Sequence, residues 1–163
     1  PSDDDFGKVQ EAARAVKAAL DRRALPSFVA TTGSRGLHIV LSLDASVDVD
    51  RLRPFARALA EEVAEAHPAL ATTEQRKASR GDKVLIDTFR TAHAQTAVAP
   101  YAIRARPGAP VATPLNWSEA FASDMAPDRY TIASIFRRLG QITDPWAGID
   151  DDPIDAAALT EAG

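Results

Sequence analysis

The sequence of 163 residues contains no cysteine, and this absence excludes disulfide bonds and thiolate metal ligands. It holds only three histidines, so the usual ligands of a zinc site are scarce. No apolar run approaches the roughly 18 residues of a membrane-spanning helix, which argues against a membrane partner. The first residues are acidic and polar, which is not the pattern of a signal peptide. We therefore expect a protein of the reducing cytoplasm.

An excess of positive charge is also absent. The formal net charge is −4, which by itself argues against nucleic-acid binding. The positive residues are nevertheless concentrated in the middle of the chain, whereas Asp3–Asp5 and Asp150–Asp152 make both ends acidic. The middle segment is either a solvated surface loop, the simpler interpretation from charge alone, or a positive face that binds phosphates. Its cations are Arg76, Lys77, Arg80, Lys83, Arg90, Arg104 and Arg106.

Helices and strands are mixed along the chain. Ser2 and Asp3–Asp5 suit the start of a helix, and apolar residues then recur every three or four positions as far as Leu20. Short strands are expected at residues 27–32, 37–43 and 84–88. Further helices are expected after a cap at Asp48 or Asp50 and over residues 131–139. The last of these would present its apolar face through Ile132, Ile135, Phe136 and Leu139.

This order predicts an α/β or α+β fold, with one mixed sheet flanked by helices. We expect the folded domain to cover residues 1–148. Residues 149–163 are acidic and alanine-rich, and we expect them to form a frayed tail.

The segment TTGSRGLH, residues 31–38, places two glycines around Ser34 and Arg35 just before a predicted strand. Gly33 and Gly36 either supply the backbone freedom of a hairpin turn or expose backbone amides to an anion. In the second case Arg35 and His38 would add donors to a phosphate. The spacing matches neither the Walker pattern nor the dinucleotide-binding fingerprint, so the residues alone leave both interpretations open.

Asp87 is the acidic residue of the otherwise apolar segment VLIDT, residues 84–88. A carboxylate at the end of a strand is a suitable ligand for Mg²⁺ or Mn²⁺, which prefer oxygen and bind between carboxylates and phosphates. The alternative is an aspartate that ends the strand and caps a turn.

Four strings occur in an order that resembles the polymerase domain of bacterial ATP-dependent DNA ligase D. They are TTGSRGLH, TTEQRKASRGDKVLIDTFR, QTAVAPYAIRARPGAPVATPLNW and DPWAG. That domain belongs to the archaeo-eukaryotic primase superfamily and acts in non-homologous end joining. The resemblance runs from about Phe6 to Gly148, so it implies a primase-polymerase-like catalytic lobe.

The resemblance also implies a role for individual residues. Thr32, Arg35 and His38 would hold the triphosphate of an incoming nucleotide, with threonine where the family often has serine. Asp87 would be the third metal carboxylate of a site for two Mg²⁺ or Mn²⁺ ions. The remaining matches are Arg90 and Arg104 near the nucleotide and primer terminus, Lys77 and Arg80 at nucleotide or DNA, and Gln95 beside the site.

One departure from the family concerns the other metal ligands. Relatives carry an Asp-x-Asp pair just upstream of the position of Pro1, so this chain resembles the C-terminal half of a polymerase domain. We expect the parent protein to add nucleotides to DNA ends and this fragment to be inactive alone. The alternative is a nucleotide- or DNA-binding module without catalysis. The family further implies ligase and nuclease domains in the same parent chain, a Ku-type end-binding partner, and association with the bacterial nucleoid.

Overall fold

Helix α1 (Phe6–Asp21) begins where the sequence predicts, because the Asp5 carboxylate accepts a hydrogen bond from the backbone N of Lys8 at 3.2 Å. The computed structural model describes residues 5–161, so Ser2, Asp3 and Asp4 of the predicted helix start lie outside the described residues.

Within residues 5–161 the chain alternates between helices and strands, which confirms the predicted mixed fold class. No helix in this part of the chain is both long and apolar enough to cross a membrane. The other elements are β1 (Phe28–Thr31), β2 (Leu37–Val40), α2 (Val49–Ala66), β3 (Ala71–Thr72), α3 (Lys77–Arg80), β4 (Val84–Leu85), β5 (Pro114–Leu115), α4 (Trp117–Ala120), α5 (Ile135–Leu139) and α6 (Ala156–Glu161).

The strands form two small sheets in the described residues, where the sequence predicted one. One sheet has the order β2–β1–β5 and is antiparallel throughout, and the other pairs β3 with β4 in parallel. Strands β3 and β5, which the sequence did not predict, and strand β4 have two residues each. The described chain divides between two compact units, and each sheet belongs to one of them.

The first unit comprises residues 5–26, 41–97 and 153–161. Helix α1 packs on α2 and on β4, and α2 also contacts β3, so the two helices cover the parallel strand pair. Apolar residues that recur on one side of α1 and of α2 supply the buried side chains of both helices. The buried apolar side chains are Ala12, Ala13, Ala19, Leu20, Leu25, Leu59, Ala60, Val63, Ala71, Val84, Ile154 and Leu159.

The C-terminal segment is held within this unit, where the sequence predicted fraying. Ile154 donates its backbone N–H to Ser42 O at 2.8 Å and accepts one from Asp44 N at 3.0 Å. Ile154 and Leu159 are only 5% and 6% exposed, because these two apolar side chains of an otherwise acidic tail pack into the unit.

The second unit comprises residues 27–40 and 98–152 and is centred on β1. Val29, Ala30 and Thr31 are buried between the flanking strands. Two indole groups complete the backbone hydrogen bonding of this region, since Trp117 Nε1 donates to Ser27 O at 2.9 Å and Trp146 Nε1 donates to Val29 O at 3.0 Å. Both tryptophans therefore serve the packing of the sheet, as expected of core aromatics.

Only one residue of the apolar face predicted for α5 is buried. Ile135 is buried, but Ile132, Phe136 and Leu139 are exposed, Phe136 by 73%. The buried neighbour of Ile135 is Arg138, which is only 8% exposed. The cause is an ion pair that apolar periodicity cannot reveal.

The Arg138 guanidinium is held by four acceptors in the second unit. It donates to both carboxylate oxygens of Glu119, at 2.6 and 2.9 Å, to Tyr130 Oη at 2.9 Å and to Pro114 O at 3.3 Å. It also lies 4.6 Å from the centre of the Tyr130 ring. Glu119 in turn accepts from the backbone N of Asn116 at 2.9 Å. Since a buried cation without partners would be costly, these contacts fix the side of α5 that carries Arg138 toward the interior of the unit.

We predict that Glu119→Ala lowers the free energy of unfolding by about 3 kcal/mol, because the substitution leaves Arg138 buried without its counter-charge. Chemical denaturation measures the change. The matched control is Asp124→Ala, which breaks the exposed pair with Arg129 (2.8 Å) and is expected to cost less than about 1 kcal/mol. Equal small losses in the two variants would show that the buried pair does not stabilise this unit.

A pH titration adds a second measurement of the same pair. The Arg138 hydrogen bond holds the pKa of Glu119 below its ordinary value, against the opposing effect of burial. The resulting stability is present above the unfolded pKa of about 4.3 and is lost as pH falls through the folded pKa. The Glu119→Gln variant lacks this component of acid destabilisation.

Candidate nucleotide-binding site

The turn between β1 and β2 is closed by the side chain of Thr32. Its Oγ1 accepts hydrogen bonds from the backbone N of Ser34 at 3.2 Å, of Arg35 at 3.3 Å and of Gly36 at 3.2 Å. Thr32 N also donates to Gly36 O at 3.0 Å. The hairpin interpretation is confirmed, and the three turn amides already have an acceptor. An anion at this turn would therefore be held by the Thr32 hydroxyl proton and by nearby cations.

His38 lies at the start of β2, opposite Ala30 of β1. Burial lowers the pKa of its imidazole, and the positive charge of Arg104 lowers it further. His38 is therefore neutral near pH 7, with one nitrogen able to donate and the other able to accept. A bound anion would reverse the effect of Arg104 and favour protonation of the ring.

Arg104 reaches this turn from a distant part of the second unit. Its backbone N donates to Pro110 O at 2.8 Å, and the residue is half-buried. The Arg106 guanidinium donates to Ser34 Oγ, which places a further cation at the turn. Arg106 is one of the cations in the middle of the chain, but the resemblance assigns it no role at the site. The Arg-x-Arg spacing of Arg104 and Arg106 was the signal that could have included it.

The second unit thus brings together Thr32, Arg35, His38 and Arg104, four of the residues that the sequence assigned to the nucleotide. Hydroxyl, imidazole and guanidinium donors on one turn and its neighbours form a suitable set for the oxygens of a polyphosphate. The other predicted site residues belong to the first unit.

Asp87 lies two residues beyond the end of β4 and is exposed, so the predicted strand 84–88 is shorter than expected. Its Oδ1 accepts a hydrogen bond from the backbone N of Phe89 at 2.9 Å, which is the turn-capping contact of the alternative interpretation. This contact engages one carboxylate oxygen and is compatible with a metal ligand. Among residues 5–161, however, no three His, Asp or Glu side chains converge on a metal-sized site.

The remaining predicted residues of the first unit differ in how they are held. Lys77, Arg90 and Gln95 are exposed. Arg80 is anchored to its own loop, because its guanidinium donates to Glu74 O at 2.8 Å and to Gln75 O at 2.5 Å. Arg80 therefore shapes the basic loop at residues 76–83, in addition to contributing charge.

The sequence and the fold of this chain are similar to those of known proteins. The sequence model of the family described as "LigD, primase-polymerase domain" matches residues 1–146. The multifunctional non-homologous end joining protein LigD of Mycobacterium bovis is 32% identical over 155 residues. The bifunctional non-homologous end joining protein LigD of Bacillus subtilis is 29% identical over 161 residues. A solved structure, the polymerase domain from Mycobacterium tuberculosis ligase D in complex with DNA, aligns with a TM-score of 0.83 at 30% identity.

The matched proteins are longer than this chain. The M. bovis and B. subtilis alignments cover 95% and 96% of this chain, but only 20% and 26% of those proteins. The structural alignment covers 91% of this chain and 51% of the solved polymerase-domain chain. The likeness therefore includes nearly all of this chain and about half of one polymerase domain.

We predict that Thr32→Val increases amide hydrogen exchange at Ser34, Arg35 and Gly36 by about tenfold, because it removes the acceptor of all three while preserving side-chain shape. Thr32→Ser keeps the hydroxyl and serves as the control, with exchange close to that of the unaltered chain. Unchanged exchange in Thr32→Val would mean that the threonine hydroxyl does not hold the turn.

Proposed function

The chain belongs to the LigD primase-polymerase domain family, and on that premise we propose that the protein containing it adds nucleotides to DNA ends in non-homologous end joining. The reaction would be a DNA-directed nucleotidyl transfer, in which a primer 3′ hydroxyl attacks the α-phosphate of a nucleoside triphosphate and diphosphate leaves. The observation that carries the proposal is the donor set at the glycine turn of the second unit, which has the chemistry of a triphosphate site.

Four residues would bind the triphosphate in this proposal. Arg35 and Arg104 would neutralise phosphate charge, with planar guanidinium groups suited to paired oxygens. The Thr32 hydroxyl would donate its proton to a phosphate oxygen, because its oxygen already accepts from the turn. His38, neutral in the free protein, would donate from one nitrogen and gain a proton as the anion binds.

A divalent cation, Mg²⁺ or Mn²⁺, is the proposed cofactor, with Asp87 as one ligand. When bound, such ions lower the pKa of an attacking hydroxyl and neutralise charge on the triphosphate. Residues 5–161 do not fit a complete two-metal centre, since no three potential ligands converge there. We therefore assign Asp87 a single coordination position and derive no step of the reaction from the metal.

The exposed basic residues of the first unit would contact nucleic acid. We assign Arg90 to the region of the primer terminus, Lys77 and Arg80 to nucleotide or DNA phosphates, and Gln95 to a polar contact beside the site. The solved relative was obtained in complex with DNA, which supports a DNA partner. Ligase and nuclease domains of the same parent chain, and a Ku-type protein at DNA ends in the bacterial nucleoid, are the further proposed partners.

A second candidate function is binding of nucleotide or DNA without catalysis by these 163 residues alone. The observation that favours it is the missing convergence of metal ligands within the described part of the chain. Primer extension by the full-length protein, with Mg²⁺ or Mn²⁺ supplied, decides between the two candidates, because the isolated chain is expected to be inactive under both. Extension would support catalysis, and nucleotide binding without extension would support the binding module.

We predict that Asp87→Asn in the full-length protein lowers primer extension by at least about a hundredfold without loss of stability. Asparagine keeps an oxygen to accept from Phe89 N, so the turn survives, but it removes the charge that a divalent cation requires. Primer extension and thermal unfolding are measured together.

Two variants complete this experiment. Asp82→Asn, at an exposed acid five residues earlier, is expected to retain full activity and serves as the charge control. Asp87→Ala loses both the charge and the turn acceptor, so a further fall in stability would reveal the turn contribution separately. Full extension by a folded Asp87→Asn protein would exclude the metal-ligand role.

We also predict that Arg35→Ala and His38→Ala each weaken nucleoside triphosphate binding by about tenfold and duplex DNA binding by much less. Each loses a charge-assisted or neutral donor to the triphosphate, worth roughly 1–3 kcal/mol. Both affinities are measured at one fixed salt concentration, because phosphate contacts depend on salt. Arg53→Ala, an exposed arginine outside the site, is the control. Equal losses for nucleotide and DNA would instead make Arg35 and His38 part of a general basic surface.

A further inference from the structure

Gly33 is buried at the centre of the turn, with a positive φ of 62°. A Cβ atom at this position would lie 2.7 Å from Arg104 Cγ, much closer than side chains approach one another. It would also lie 3.1 Å from the backbone N of Ala112 and the carbonyl carbon of Val111. The missing side chain of Gly33 therefore leaves the space in which the Arg104 stem lies.

Gly36 and Gly108 of the second unit do not share this feature, whereas Gly148 has a positive φ of 83° and a Cβ there would lie 2.6 Å from Asp151 Oδ2, a carboxylate and not an arginine stem. A Cβ at Gly36, on the other side of the turn, would find its nearest atom at 4.0 Å. Gly108 has a positive φ of 80° like Gly33, but a Cβ there would meet nothing within 4 Å. The positive φ alone is a sufficient reason for glycine at position 108. At position 33 the positive φ is combined with the close approach of an arginine side chain.

The position of Arg104 in this space has an electrostatic consequence. Its charge acts on His38, whose pKa it lowers in addition to the larger effect of burial. The two groups are thus close enough to interact, although they come from segments more than sixty residues apart in the sequence. Two cationic or potentially cationic groups are held near each other without a ligand, and an anion would relieve that repulsion.

We propose that Gly33 is a positioning residue, whose missing side chain forms a slot that holds the Arg104 stem and directs its guanidinium to the site of His38. This inference deepens the proposed function. The slot itself follows from the packing of Gly33, whereas its use for a triphosphate rests on the proposed function. Gly33 itself contributes no group to a ligand. It acts through Arg104, so any side chain at this position displaces a cation from the binding site.

The first measurement is affinity of the full chain for inorganic tripolyphosphate, by calorimetry at fixed pH and salt. Gly33→Ala and Gly33→Asn are expected to weaken binding by about tenfold or more, the effect of losing one charge-assisted hydrogen bond. Asparagine tolerates a positive φ better than alanine, so Gly33→Asn separates the collision from backbone strain and keeps the test usable where Gly33→Ala folds poorly. Gly108→Ala, with strain but no collision, is expected to bind normally.

A double-mutant cycle tests whether Gly33 acts through Arg104. Arg104→Ala removes the Cγ atom with which the new Cβ would collide. In that background Gly33→Asn is expected to cause little further loss of affinity, because the cation is already gone. Independent, additive losses would overturn the proposed coupling.

The second measurement is the pKa of His38, followed by NMR of labelled histidine without any ligand and assigned with His38→Gln. Gly33→Asn is expected to raise this pKa in the direction seen in Arg104→Ala, because the arginine charge moves away. Normal tripolyphosphate affinity with an unchanged His38 pKa in Gly33→Asn would overturn the slot. If Gly33→Asn raises the His38 pKa but the unaltered chain does not bind tripolyphosphate, the result would support the slot and overturn the proposed triphosphate role.

Discussion

The geometry of the second unit depends on the pairing of β1 with a segment that follows it by more than eighty residues. Thr31 N donates to Thr113 O at 2.9 Å, and Thr113 N donates to Thr31 Oγ1 at 3.1 Å. Both threonines are fully buried, so each polar group requires its partner. This reciprocal contact brings the chain of Arg104 and Arg106 to the strand from which the glycine turn extends. The cations of the site are near the turn because the strands pair.

In the turn, one side-chain hydroxyl accepts the hydrogen bonds that the backbone amides would otherwise donate to a ligand. Three successive amides point to Thr32 Oγ1, which keeps the loop closed in the absence of any anion. Arg35, Arg104 and Arg106 then provide charge around a preformed turn. Preorganisation of this kind reduces the conformational entropy that a polyphosphate would otherwise have to offset on binding. Burial and the charge of Arg104 lower the pKa of His38, and in the proposed function this imidazole would donate a hydrogen bond to the anion.

The buried pair of Arg138 and Glu119 illustrates a different constraint. Desolvation of a guanidinium is costly, so its position follows the acceptors that surround it. Those acceptors come from α4, from Tyr130 and from the backbone of Pro114, and together they decide which side of α5 faces inward. The exposed positions of Phe136 and Leu139 are a consequence of this choice.

The sequence alone determined the features that depend on neighbouring residues. Apolar periodicity predicted α1 and α2, and the glycines at positions 33 and 36 predicted a turn before a strand. The four strings of residues identified the family, and with it the candidates Thr32, Arg35, His38, Arg104 and Asp87.

Tertiary structure decided what depends on residues distant in the sequence. It divided the predicted sheet in two, paired Ile154 with the chain around Leu43, and turned α5 around Arg138. It also placed Arg106 at the turn and the Arg104 stem over Gly33, contacts that no local pattern encodes. The physical reason is that local conformation follows backbone preference and capping within a few residues, whereas burial, charge compensation and steric fit depend on which segments meet in the folded chain.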